Sequence, residues 1–193
     1  MTRQEERVYV ITGPAGVGKT TVANYLCRHF GLHRVVTHTT RAPRPGERDG
    51  VDYYFETPAS MAKLTLLEQV NYDHHQYGSS MEGLVAGWHT GHNNVIVLDT
   101  IGAVTYKQQL GERAVVIYLT VSVLDALAKR IQARGDRRHA IKSRLKSREN
   151  QRDVNLPAEL RQTAYVVVND YWPKTERRLN HLLAAFGERK TNL

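Results

Sequence analysis

Apolar residues in this chain come either in short, near-continuous runs or in longer stretches where they recur every three or four positions. The runs VYVIT, NVIVLD, AVVIYL and YVVVN predict strands at 8–12, 94–99, 114–119 and 165–169, with a fifth at 34–38. Runs that are apolar at nearly every position suit strands covered on both faces, the usual state of a parallel sheet. Helical spacing predicts helices at 19–30, 101–110, 122–133, 139–153 and 173–186. Strand and helix therefore alternate, as in an α/β domain whose helices pack on a mostly parallel five-stranded sheet. Two segments break the rhythm. Residues 41–80 carry the turn cluster APRPGERDG and then VDYYF and YDHHQYGSS, which read as small strands and loops inserted between core elements. Residues 134–152 form the basic stretch RGDRRHAIKSRLKSRENQR. No internal repeat, low-complexity tract or linker is evident.

Composition narrows the class. At 193 residues, 41% hydrophobic and 24% charged, the chain is long enough for one compact domain with a real core. No apolar stretch reaches membrane-spanning length and MTRQEER has no signal-peptide core, so the expectation is a cytoplasmic protein with no membrane partner. The net charge of +8 suits nucleic acid, but it equally suits a pocket that holds several phosphate groups. No nucleic-acid recognition motif accompanies the charge, and nucleic acid is not expected as a partner. A single cysteine, Cys27, excludes a disulfide framework and a cysteine-rich zinc site; within its apolar helical pattern it reads as a buried spacer. Nothing in the sequence indicates an oligomeric state.

Between the first strand and the first helix stands GPAGVGKT: Gly13, Pro14, Ala15, Gly16, Val17, Gly18, Lys19 and Thr20, with Thr21 following. Gly, four residues, then Gly-Lys-Thr in a strand–turn–helix context is the phosphate loop. Its glycines let backbone N–H groups converge on phosphate oxygens, and the helix N-terminus adds partial positive charge. Lys19 reaches the β- and γ-phosphates, and Thr20 offers a hydroxyl to the oxygen shell of Mg²⁺. The motif implies a nucleoside triphosphate without naming the reaction.

The stretch VTHTTRAPRPGERDGVDYYF, followed by a glutamate before YGSS and then by VIVLDTIGA, KRIQARG, SRLKSRE and VVVND, resembles the guanylate kinase family in order and nearly in spacing. The resemblance implies a P-loop nucleoside monophosphate kinase fold that transfers the γ-phosphoryl group of ATP to GMP, with Mg²⁺ as cofactor and ATP and GMP as small-molecule partners. It also implies an acceptor-binding insert at about 34–88, a lid at about 134–152, and a core formed by 1–33, 89–133 and 153–193. Carried over by position, Arg41 and Arg44 grip the acceptor phosphate, a role that suits planar, permanently charged guanidinium groups. Tyr53 and Tyr77 contact the same phosphate. Glu68 reads the base, since guanine presents N1–H and N2–H₂ as adjacent donors whereas adenine presents an acceptor at N1. Thr37 and Ser79 hold guanine O6, and Asp99 faces the acceptor base and the metal's waters. Arg134 and Arg144 clamp the transferring phosphoryl group, with Arg130 preceding them, and Asn169 contacts adenine.

The chain departs from the family at several positions. Val97 stands where a second acid is expected on the face of Asp99, Ile101 replaces a glutamine, and Tyr171 replaces an acid. Residues 136–139 are basic where the lid is usually acidic, and His74 and His75 replace a glycine and an asparagine. The histidine pair has no third ligand at convincing spacing and reads as surface residues rather than a metal site. Two further readings stay open: a P-loop kinase for another small phosphorylated acceptor, suggested by Val97 and Ile101, and a non-catalytic guanylate-kinase-like module that binds proteins, against which the intact loop argues.

Overall fold

The computed structural model describes residues 6–72, 74–133 and 147–191. Five strands form one sheet: β1 (Val8–Thr12), β2 (His33–Arg34), β7 (Asn94–Val97), β8 (Ala114–Thr120) and β9 (Tyr165–Val168). Their order is β2-β7-β1-β8-β9, and every neighbouring pair is parallel. Side chains alternate across the central strand, and both faces are buried. Tyr9 and Ile11 pack with Val22 and Leu26 of α1 (Lys19–Phe30) and Leu179 and Leu183 of α7 (Trp172–Ala185). Val8 and Val10 pack on the other face with Leu84 of α3 (Met81–His89) and Ala103 and Tyr106 of α4 (Thr100–Leu110). Burial of each such side chain stabilises the fold by roughly 1.5–3 kcal/mol, which is why a run apolar at every position forms a strand here. The edge strand β9 departs from that expectation. Val167 is buried, but Tyr165, Val166 and Val168 are exposed, because β9 has a neighbouring strand on one side alone.

A second, four-stranded sheet rises from the insert in the order β4-β3-β6-β5, formed by β3 (His38–Thr39), β4 (Tyr54–Phe55), β5 (Leu66–Tyr72) and β6 (His75–Ser80). The strand expected at 34–38 is thereby split. His33 and Arg34 pair with β7, whereas His38 and Thr39 have crossed to pair with β4 and β6. Sequence periodicity also missed β5, the short helix α2 (Pro58–Met61) and α3. In the β5–β6 turn His74 has φ 63°, the left-handed region that glycine enters without strain, which explains why a glycine suits this position.

The helix expected at 122–133 begins later, as α5 (Asp125–Ala133), after a tight turn in which the Ala126 and Leu127 N–H groups donate to the carbonyls of Val123 and Leu124 at 3.1 and 2.9 Å. Of the helix expected at 139–153, residues 139–146 lie outside the described residues. The remainder is α6 (Arg148–Asp153), capped by the Ser147 hydroxyl, which accepts from Asn150 N at 3.1 Å. Cys27 is partly buried against the core, and burial pushes its thiol up. No helix among the described residues is long and apolar enough to cross a membrane.

Candidate active site

The phosphate loop leaves the central strand and turns at Gly13, Gly16 and Gly18, all at positive φ. Gly18 stands immediately before α1 with φ 103°, and a Cβ there would meet the Asn169 amide nitrogen at 2.5 Å. Asn169 braces the loop from behind: its Nδ2 donates to the Val17 carbonyl at 2.8 Å, and its Oδ1 accepts from Thr175 Oγ1 at 2.9 Å. From the other side, the Ala15 N–H donates to Asn150 Oδ1 of α6 at 2.8 Å. Lys19 Nζ folds over the loop and donates to the carbonyls of Gly13 (2.6 Å) and Pro14 (3.0 Å). Thr20 and Thr21 are exposed at the first turn of α1.

Across from the loop, the second sheet presents a polar wall. Arg41 Nη2 donates to both carboxylate oxygens of Glu47 at 2.9 and 3.0 Å, and Glu47 also accepts the Arg44 N–H at 2.8 Å. The guanidinium lies 5.4 Å from the Tyr53 ring centre, and Tyr53 meets Tyr77 edge to face. Deeper in, Glu68 on β5 is 6% exposed. Its Oε1 accepts from Ser79 Oγ at 3.2 Å, and Ser79 in turn accepts from Tyr106 Oη at 2.7 Å. Glu68 Oε2 is buried with no hydrogen-bond partner among the described residues. Burial, reinforced by the charge of Asp99 and opposed by the Ser79 hydrogen bond, pushes the Glu68 carboxyl up to about 7.

Asp99 caps α4, accepting from Gly102 N at 2.7 Å, and its other oxygen accepts from Arg152 Nη2 at 2.6 Å. Arg152 also donates from Nε to Asp153 Oδ1 at 3.0 Å, and Thr100 Oγ1 donates to that same oxygen. Burial raises the Asp99 carboxyl, and the Gly102 N–H and Arg152 oppose the rise.

One cleft of about 420 Å³ joins these groups. Of the residues singled out from sequence, Ala15, Gly16, Gly18, Lys19, Thr20, Thr21, Thr37, Arg41, Arg44, Tyr53, Glu68, Tyr77 and Asp99 line it. Ser79 stands behind Glu68, and Gly13, Pro14, Val17 and Asn169 stand behind the loop surface. Arg134 and Arg144 lie outside the described residues. Sequence reasoning passed over Glu47, Asn150, Arg152, Asp153 and Tyr106. Glu47 had a signal in its position three residues after Arg44, but the α6 residues were hidden in a charge run whose sequence says nothing of what it touches.

Residues 5–186 match the family model described as guanylate kinase. The chain is 34% identical over 184 residues to the guanylate kinase of Neisseria meningitidis serogroup A, covering 92% of this chain and 87% of that one. It is 33% identical over 186 residues to that of Chlorobaculum tepidum, covering 93% of each. Among solved structures, the guanylate kinase from Anaplasma phagocytophilum superposes with a TM-score of 0.74 at 24% identity, over 96% of this chain and 88% of that one, a likeness of fold.

Proposed function

The chain belongs to the guanylate kinase family and transfers the γ-phosphoryl group of ATP to GMP, giving ADP and GDP; we propose that it does so in the cleft between the phosphate loop and the second sheet. The observation that carries this assignment is Glu68 Oε2, a buried carboxylate oxygen with no partner among the described residues, in the same cavity as Lys19. A desolvated acceptor without a donor costs about 1–3 kcal/mol, and guanine's N1–H and N2–H₂ supply the donors. Adenine would turn its N1 lone pair toward the same carboxylate and be rejected.

In this reading the loop N–H groups and Lys19 hold the phosphates of ATP, with Lys19 exchanging the Gly13 and Pro14 carbonyls for phosphate oxygens. Arg41 and Arg44, with the hydroxyls of Tyr53 and Tyr77, hold the phosphate of GMP, whose oxygen attacks the γ-phosphorus as its bond to the β-phosphate oxygen breaks. Thr37 lines the base pocket beside Glu68, and Ser79 supports Glu68 from behind. Holding donor and acceptor in line supplies the catalysis, and no covalent intermediate with the protein is needed. The cleft fits Mg²⁺, which keeps most of its shell as water and phosphate oxygen: Thr20 offers an exposed hydroxyl and Asp99 a carboxylate near those waters. When bound, the ion neutralises charge on the transferring group. Arg134 and Arg144 add positive charge to that group. The insert (34–88) serves as the acceptor domain and the basic segment (134–152) as the lid, and the enzyme works in the cytoplasm, where its substrates are. Measuring ADP release across nucleoside monophosphates tests the assignment: turnover is expected with GMP and dGMP, and turnover confined to a non-guanine acceptor would overturn it.

A further inference from the structure

Three carboxyl groups crowd the inner end of the cleft: Glu68 from β5, Asp99 at the start of α4 and Asp153 from α6. All are nearly inaccessible, with Glu68 6% exposed and the Asp99 and Asp153 side chains 9% and 4% exposed. Glu68 and Asp99 converge on one glycine. A Cβ on Gly102 would lie 3.1 Å from Glu68 Oε2 and 3.3 Å from Asp99 Oδ1, so these two carboxylates face each other across the space that a side chain would fill. The groups turned toward Glu68 are Asp99 from the β7–α4 turn, Ser79 from β6 and, through Ser79, Tyr106 from α4. Those turned toward Asp99 are Arg152 and Asp153 from α6 and the Gly102 N–H from α4. Among the described residues, Arg152 is the cation paired with this cluster, meeting Asp99 at 2.6 Å and Asp153 at 3.0 Å.

We propose that Arg152 is a positioning residue for acceptor selection: by keeping Asp99 paired, it leaves the facing Glu68 carboxylate ionised and open to guanine. The proposal rests on the reading that Glu68 takes the base. Without the guanidinium, the three buried acids have no paired cation among the described residues, and one of them takes up a proton. Glu68 has one oxygen without a partner and is the acid least able to resist. A protonated Glu68 presents an O–H toward donors. Arg152 is not needed to hold α6 in place: Tyr118 Oη donates to the carbonyls of Asp153 (3.0 Å) and Val154 (2.6 Å), Thr100 holds the Asp153 carboxylate, and Asn150 holds the loop.

The test is steady-state kinetics of the full chain from pH 5.5 to 9 with ATP and GMP. For Arg152→Gln we expect KM for GMP at pH 7 to rise about five- to tenfold, with kcat and KM for ATP little changed. The inflection of the GMP profile should move about one pH unit toward alkaline values, so that the defect fades by pH 9. Arg152→Lys keeps the charge and should stay near the parent. Asp99→Asn combined with Arg152→Gln removes the unpaired acid and should return the inflection, and this variant carries the test if Arg152→Gln alone does not fold. An unmoved inflection, a defect equal at every pH, or a Lys variant as impaired as the Gln variant overturns the proposal. A GMP response indifferent to Glu68→Gln sinks the base-reading role instead, whereas loss of GMP use in Glu68→Gln with an unmoved Arg152→Gln profile sinks this proposal alone.

Discussion

Glu68 does two opposed things at one atom. Its carboxyl is raised to about 7 from an ordinary 4.5, so the folded protein binds this proton more tightly than the unfolded chain does. Stability from this group is therefore full below about pH 4.5 and declines as pH climbs toward 7, by up to about 3 kcal/mol. In the proposed role, GMP affinity is expected to have the opposite slope, rising as the carboxylate forms. Glu68→Gln should flatten the pH dependence of nucleotide-free unfolding between pH 5 and 7.5, followed by urea midpoints. It should also weaken GMP about ten- to hundredfold in calorimetry while sparing an ATP analogue; a variant that keeps GMP affinity contradicts the assignment. Lys19 is simpler, because its ammonium rests on two carbonyls of its own loop. Lys19→Ala should cut turnover about a hundredfold or more and leave the melting temperature nearly unchanged. Both proposed roles start from the sequence, one from the loop motif and the other from resemblance, and the structure adds the position of each side chain in the cleft. The orphaned oxygen was not legible in sequence, since burial of a single atom depends on what Gly102, Ser79 and Tyr106 do around it.

At the level of elements, the loop between β1 and α1 is held by parts from distant stretches of chain. The motif predicted its glycines and its place between strand and helix, and both are found. The braces from Asn169 and Asn150 depend on where β9 and α6 pack, which no local pattern encodes. The same limit explains the split at 34–38, where one extended stretch serves two sheets and period-two patterning cannot mark the crossing. Gly18→Ala forces a φ of 103° on an alanine and drives its Cβ to 2.5 Å from Asn169. We expect a loss of about 1–3 kcal/mol in unfolding free energy, and weaker binding of an ATP analogue in the same preparation. Asn169→Ala leaves the Val17 carbonyl without its donor and should cost a similar amount. Unchanged urea midpoints in both variants would mean that the loop is not braced in this way.

Over the whole molecule, the cleft separates two sheets of different character, a parallel core that carries the phosphate loop and a small, largely antiparallel wall that carries the proposed acceptor residues. Substitutions on one wall should therefore be felt by one substrate. Arg44→Lys keeps a charge but loses the two-pronged donor geometry, and it should weaken GMP while leaving an ATP analogue unaffected; equal weakening of both ligands in calorimetry speaks against separate walls. The alternation of strand and helix made the core readable from sequence, because the three inner strands β1, β7 and β8 are largely buried and each is followed closely by a helix. The wall was less readable, since its two-residue strands are shorter than any periodicity. The strand order also bears on how the protein is made. The central strand β1 is made before both strands it pairs with, since Val8 pairs with Asn94 on one side and Ala114 on the other. A growing chain thus carries this fully buried strand unpaired until residues 94–120 have been made, and it meets the loop's brace Asn169 later still. Nascent chains stalled before residue 114 should expose β1 to protease and to chaperone capture, and ATP protection should arise only after Asn169 has left the tunnel.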